Sequence, residues 1–364
     1  MKAFRRRLLA TAASTVTAPL WTLTGAVAAP QTAPRALGYV PWWMAAAWRD
    51  MPLGHLDRLV LFEVTVQRDG GVNDNDWPAR AREIAAYARE RSVPIDVALT
   101  VHGADVFNEI FRNARARRAL AEQCKRWIDQ SFVAGLHLDV EGYAVADKAA
   151  IAGFRDWLGA LDANRKKAQK GLSAFFPADD QFTPYDPASA ARVDHWVAQI
   201  YDAHSVDAKK TGPVVTRSPA NEVGIRRSLA RLERLRIARS AILLSVPLYG
   251  WEWRAAAATP GARIMGDGRL LTYAETPARL MPDDRKVAIE LARQHGLRRD
   301  AEHTPYYSYA DDGAWVQGWY EDMESLTGKL APERGRGYGL AFFPLGYDRN
   351  AIVEPLLRWW RSPA

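Results

Sequence analysis

The sequence predicts an α/β fold: a (β/α)8 TIM barrel with a small α+β insertion in the seventh βα connection. Three observations point to it. Eight short β-branched or apolar runs recur from residue 36 to the end of the chain. Longer segments with apolar residues spaced by three and four separate them, and this alternation implies a parallel sheet, because parallel neighbours need crossovers of a dozen or more residues. The first run leads from Tyr39 into Pro41-Trp42-Trp43, without the Gly-rich turn that opens a doubly wound nucleotide-binding sheet, so a closed barrel is favoured over an open one.

Taken in order, the expected strands are 37–41, 59–66, 95–101, 135–140, 172–176, 195–201, 242–247 and 339–343. The main expected helices are 79–91, 107–130, 149–166 and 226–239. The seventh connection is exceptional, about 90 residues, far beyond an ordinary crossover. It contains strand-like pieces at 269–273, 305–309 and 313–319 and a helical stretch at 284–295. Residues 254–318 therefore read as an α+β insertion, with 29–253 and 319–364 forming the barrel. Rising above the barrel mouth, it would deepen a groove over the C-terminal strand ends, where barrel active sites sit.

Of the 364 residues, 48% are hydrophobic and 25% charged, an ordinary globular composition that excludes disordered, collagenous and coiled-coil classes. Residues 1–28 carry Lys2, Arg5, Arg6 and Arg7 followed by an uncharged apolar or small run, with Ala26 and Ala28 in an A-x-A arrangement. That is the layout of a signal peptide, so export to the periplasm or medium is expected. Arg5-Arg6-Arg7-Leu8-Leu9 resembles a twin-arginine export signal. An uncleaved anchor is the alternative, disfavoured by Ser14, Thr15, Thr17 and Pro19 inside the run. Removing the leader leaves 336 residues and takes the net charge from +7 to +3. The remaining arginines and lysines are interleaved with alanine and leucine as solvated helix faces, so no nucleic-acid partner and no membrane span are expected. Cys124 is the single cysteine and excludes an intramolecular disulfide. The seven histidines form no HxxxH or HxH pair, and no P-loop or GxSxG stands in the chain, so no metal or cofactor is expected. A monomer is the expectation.

The richest stretch is Gly135-Leu136-His137-Leu138-Asp139-Val140-Glu141. On a strand, residues 137, 139 and 141 share one face, which in a barrel points inward and toward the mouth. Three such groups are costly to bury. A core ion cluster would account for them, but the column ends at the strand's C-terminal tip, which favours function. This run resembles the DGxDxDxE motif of glycoside hydrolase family 18, the chitinases and endo-β-N-acetylglucosaminidases. Further segments follow in the family's order. Gln199-Ile200-Tyr201-Asp202 is similar to M-x-Y-D at the sixth strand, and Val246-Pro247-Leu248-Tyr249-Gly250 with Trp253 to P-x-YG-x-x-W at the seventh. Pro305-Tyr306-Tyr307-Ser308-Tyr309 and Trp319-Tyr320-Glu321-Asp322 with Ser325 are similar to the stretch closing the family's insertion.

The resemblance implies an exported hydrolase of β-linked N-acetylglucosamine polymers working by substrate-assisted retaining catalysis, an exception to the two-carboxylate scheme. Glu141 would be the general acid/base, Asp139 would hold the acetamido N–H, and Tyr201 would orient the acetamido oxygen. Asp202 would contact the sugar or hold its loop. Tyr39, Trp42, Trp43, Tyr249, Trp251, Trp253 and Phe343 would bind substrate, as would His137. The sequence departs from the family at four points: Ala134 and His137 replace the motif's first and middle Asp, Trp251 a frequent Arg, and Phe343 an eighth-strand Trp. A charged His137 could pair with Asp139, whereas a neutral one could only hydrogen-bond. Fourteen tryptophans, several clustered after strand ends, suit stacking on sugar rings. Glu63 reads equally as a buried paired acid or a groove contact. A chitinase-like binding protein and a hydrolase of glycans lacking acetamido groups are the competing readings.

Overall fold

In a computed structural model of the chain, the described residues are 35–141, 147–178, 184–218, 223–276 and 286–363. The expected leader lies outside them. Eight parallel strands close on themselves: Ala36–Pro41, Arg58–Val66, Ile95–His102, Gly135–Glu141, Gly171–Phe176, His195–Gln199, Ile242–Pro247 and Gly339–Phe343. The first pairs with the second through Leu37↔Arg58 and with the eighth through Ala36↔Leu340, which makes the sheet a barrel. Every residue of the first, fifth and seventh strands is buried, as expected where helices cover one side and side chains fill the other.

Helix Trp77–Glu90 follows the second strand and buries Trp77, Ala81, Ile84 and Ala88, one stripe at spacings of four and three. The helix expected over 107–130 is two, Ala104–Arg112 and Ala114–Ile128. Asn113 breaks it: its backbone is extended and its side chain accepts from the N–H groups of Arg115 and Ala116, so it caps the second helix instead of continuing the first. Helices Lys148–Lys167, Ile225–Arg234, Met323–Leu330 and Val353–Arg361 complete the main outer layer. Among the described residues, no helix is long and apolar enough to cross a membrane.

A second, six-stranded sheet occupies the seventh connection. Its order is Lys286–Val287, Arg269–Thr272, Tyr249–Ala255, Ala314–Trp319, Pro305–Asp311, Arg298–Arg299, with helix Ala288–His295 against it. This sheet starts at Tyr249, five residues before the expected boundary, because the chain re-enters strand two residues after leaving the barrel. Tyr249 through Trp253 therefore belong to the insertion's central strand. Trp319 stacks on Tyr306 at 4.5 Å between ring centroids, with Trp253 in the same cluster.

Candidate active site

The fourth strand carries the centre of the site. It begins with Gly135 because a Cβ there would lie 2.7 Å from both Gly171 O on the fifth strand and Asp96 Oδ1 on the third. From this close start the strand alternates, so that Asp139 and Glu141 reach a cavity of about 350 Å³ at the C-terminal end of the barrel. Asp139 is buried. Its Oδ2 accepts from Thr100 Oγ1 at 3.4 Å, while its Oδ1 is buried without a hydrogen-bond partner among the described residues. Burial, followed by the charge of Glu141, pushes Asp139 well above the usual carboxylate range. Burial also raises Glu141, with the His102 charge acting against it. Two adjacent carboxyls that favour the protonated form hold a proton more readily than isolated ones.

Aromatic residues enclose these acids. Tyr39, Trp42 and Trp43 come from the first strand and the turn after it, Tyr201 and Asp202 from the end of the sixth, and Tyr249 and Phe343 from the insertion and the eighth. Phe343 packs edge-on against Tyr39 and Phe62 at 5.7 and 5.1 Å. Asp202 has φ of 64°, a conformation an aspartate tolerates better than most residues. Its Oδ1 accepts from Tyr249 Oη at 2.9 Å and Trp251 Nε1 at 3.1 Å, tying the barrel loop to the insertion. Burial raises Asp202 to about 6.

Three expected contacts lie elsewhere. His137 is wholly buried beneath the cavity, its Nε2 2.9 Å from Tyr39 Oη and its Nδ1 2.8 Å from Ser173 Oγ. Burial pushes it down to about 3, so it is neutral and forms no ion pair with Asp139. Trp251 is half-buried outside the cavity lining and donates to Asp202. Trp253 is buried in the insertion and donates to Ser205 O. The lining also includes Gln199, which opens the sixth-strand motif, and His102, Phe62 and Phe175, which the sequence did not point to. Glu63 lines the same cavity with its Oε2 3.5 Å from His102 Nε2, so it is both a paired acid and a groove residue. The available signal for His102 was its place at the tip of the third strand, as Glu141 stands at the tip of the fourth.

Residues 35–348 match the model for glycosyl hydrolases family 18. The chain belongs to this family. Solved structures agree at the level of fold. A class V chitinase from Nicotiana tobaccum is 15% identical, with 91% of this chain and 99% of that one covered and a TM-score of 0.73. A chitinase from Chromobacterium violaceum is 19% identical over 91% of this chain and 100% of that one, with a TM-score of 0.69. A chitinase-like agglutinin from Robinia pseudoacacia is 18% identical over 90% and 100%, with a TM-score of 0.70. At these identities the likeness carries the fold and nothing finer, and the agglutinin stands beside the chitinases in it. No curated protein matches the chain. As a family 18 member, the protein has a chitinase-like, glycoside hydrolase-type barrel. On its fourth strand His137 is hydrogen-bonded to Tyr39 and Ser173, with Asp139 and Glu141 beyond it.

Proposed function

We propose that this protein is an exported glycoside hydrolase that cleaves β-linked N-acetylglucosamine polysaccharides by substrate-assisted retaining catalysis. The observation that carries the reading is the Asp139–Glu141 pair in the cavity: a carboxyl with a raised pKa two residues from one whose buried Oδ1 lacks a donor. An acetamido N–H is such a donor. Held there, the group would aim its carbonyl oxygen at the anomeric carbon, helped by the Tyr201 hydroxyl, which burial keeps protonated. As that oxygen bonds to the anomeric carbon, the glycosidic C–O bond breaks and Glu141 gives its proton to the departing oxygen. Asp139 then faces a positive oxazolinium. Water attacks the anomeric carbon, Glu141 takes its proton, and the acetamido group is restored.

The cavity's composition supports an uncharged sugar. Its lining carries the carboxyls of Glu63, Asp139, Glu141 and Asp202 and, among the described residues, no lysine or arginine, which disfavours a ring bearing its own negative charge. Trp42, Trp43 and Phe343 supply apolar surface for the sugar's C–H groups. Residues 1–28 are the export signal in this reading, and a monomer suffices because one chain supplies all the groups named.

Glu141→Gln is the test, assayed on N-acetylglucosamine oligomers with product masses recorded. Turnover is expected to fall by about a hundredfold or more, with oligomer binding retained. Equal turnover by both proteins, or tight binding with turnover by neither, rejects the reading, the second outcome in favour of a binding protein. Equal turnover of deacetylated and acetylated polymer would remove the acetamido group from the mechanism.

A further inference from the structure

The surroundings of Glu141 are unequal on its two sides. On the side toward the barrel interior, His137 stands where the family motif has a carboxylate. Its ring is fully engaged between Tyr39 and Ser173, and the hydrogen bonding continues to a buried ion pair. Ser173 Oγ lies 3.4 Å from Asp96 Oδ2, and Asp96 Oδ1 is 2.5 Å from Arg58 Nη1. This side offers Asp139 and Glu141 neither a charge nor a transferable proton from His137.

The opposite side carries an imidazole and a second carboxyl. His102 is the cross-strand partner of Glu141 in the register of the third and fourth strands. Its Nε2 lies 3.5 Å from Glu63 Oε2, contributed by the second strand, and the Glu63 side chain is only 15% exposed. The Glu63 contact holds His102 above the ordinary imidazole range against burial, and the Glu141 charge adds to it. Glu63, Asp139 and Asp202 are the other carboxyls acting on this region, with Tyr39, Tyr201 and Tyr249 the phenols behind them.

We propose that the Glu63–His102 pair is the charge partner of Glu141, an imidazolium held by Glu63 that stabilises the Glu141 carboxylate once its proton has left. When Glu141 protonates the departing oxygen, its own carboxylate forms in a partly dry site, and burial opposes that step. A cation on the neighbouring strand offsets this cost. His102 keeps its own proton throughout, so it is a positioning residue: no bond to it forms or breaks. The effect on rate rests on the hydrolase reading above. The coupling between His102 and Glu141 rests on their cross-strand register and the Glu63 contact, and does not depend on the reaction.

The experiment compares wild type, His102→Asn and Glu63→Gln in the pH dependence of kcat and kcat/KM on an N-acetylglucosamine oligomer. It also follows the His102 imidazole by NMR titration in wild type, Glu63→Gln and Glu141→Gln, with melting curves to verify folding and His102→Gln as a substitute if His102→Asn fails to fold. In His102→Asn the basic limb is expected to rise by roughly half a pH unit or more, with kcat falling while KM changes little. His102 is expected to titrate at lower pH in both Glu63→Gln and Glu141→Gln. Coupling between two sites is reciprocal, so the displacement in Glu141→Gln should match that of the basic limb in size. Coincident basic limbs in active, folded wild type and His102→Asn overturn the proposal, as does an unchanged His102 titration in Glu141→Gln. A wild type that turns over no acetylated oligomer defeats the hydrolase reading instead, and the NMR titrations then decide the pair by themselves.

Discussion

His137 illustrates how one residue's surroundings decide its chemistry. A histidine between two aspartate positions invites a charged pairing, yet Tyr39 and Ser173 take both ring nitrogens and burial removes the charge. Its folded-state value of about 3 lies below that of the unfolded chain, about 6.5. Its contribution to stability is therefore complete above about pH 6.5 and is lost as pH falls toward 3, because only the unfolded chain takes up the proton. In His137→Asn, the dependence of unfolding free energy on pH between about 4 and 6 should be shallower by one proton, about 1.4 kcal/mol per pH unit. Denaturant titrations at several pH values measure this, and equal slopes would contradict the neutral assignment. Residues 139 and 141 could be found in the sequence because their spacing of two puts them on one strand face at its tip. For His102 the sequence offers only a strand-tip position, because its relation to Glu141 is a cross-strand register, and the hydrogen bonding of His137 depends on Ser173, which is 36 residues away.

Among the elements, the insertion is tied to the barrel layer by one buried cation. Lys329, on helix Met323–Leu330, donates to both oxygens of Glu321 at 2.9 and 2.8 Å, to Val215 O at 2.7 Å and to Thr304 Oγ1 at 2.8 Å. Ser325 Oγ and Val215 N also donate to Glu321. Burial raises the Glu321 pKa and the lysine opposes it. Lys329→Met leaves this carboxylate buried without its partner and should cost about 3–5 kcal/mol in denaturant unfolding, while removing both charges with apolar replacements should cost less. A loss below about 1 kcal/mol for the single variant would show that water reaches the acid. At this scale the sequence was readable wherever period and length agreed, as in helix Trp77–Glu90. It misled at Asn113, where a side chain captured backbone N–H groups inside an otherwise helical pattern, and at Tyr249, where a new strand starts almost without a turn.

For the whole molecule, the order of the eight strands was legible because each run is apolar enough to be covered on both sides. The enclosure of the site was not, since it depends on Asp202 joining the barrel loop to Tyr249 and Trp251 of the insertion. Cys124 is buried, and burial raises its thiol to about 12. Native protein should resist alkylation at neutral pH and become labelled only in denaturant, with a thermal midpoint unaffected by reductant; rapid labelling of the native protein would show local opening of helix Ala114–Ile128. The pairing of the first strand with the eighth has a further consequence, for biosynthesis. A ribosome delivers Ala36–Pro41 about 300 residues before Gly339–Phe343, yet the two are neighbours. Until the last strand emerges, the wholly buried first and seventh strands each present an unpaired, apolar edge. A nascent chain stalled before residue 339 is thus open at both edges and exposed to aggregation, however complete the machinery around Glu141 has become.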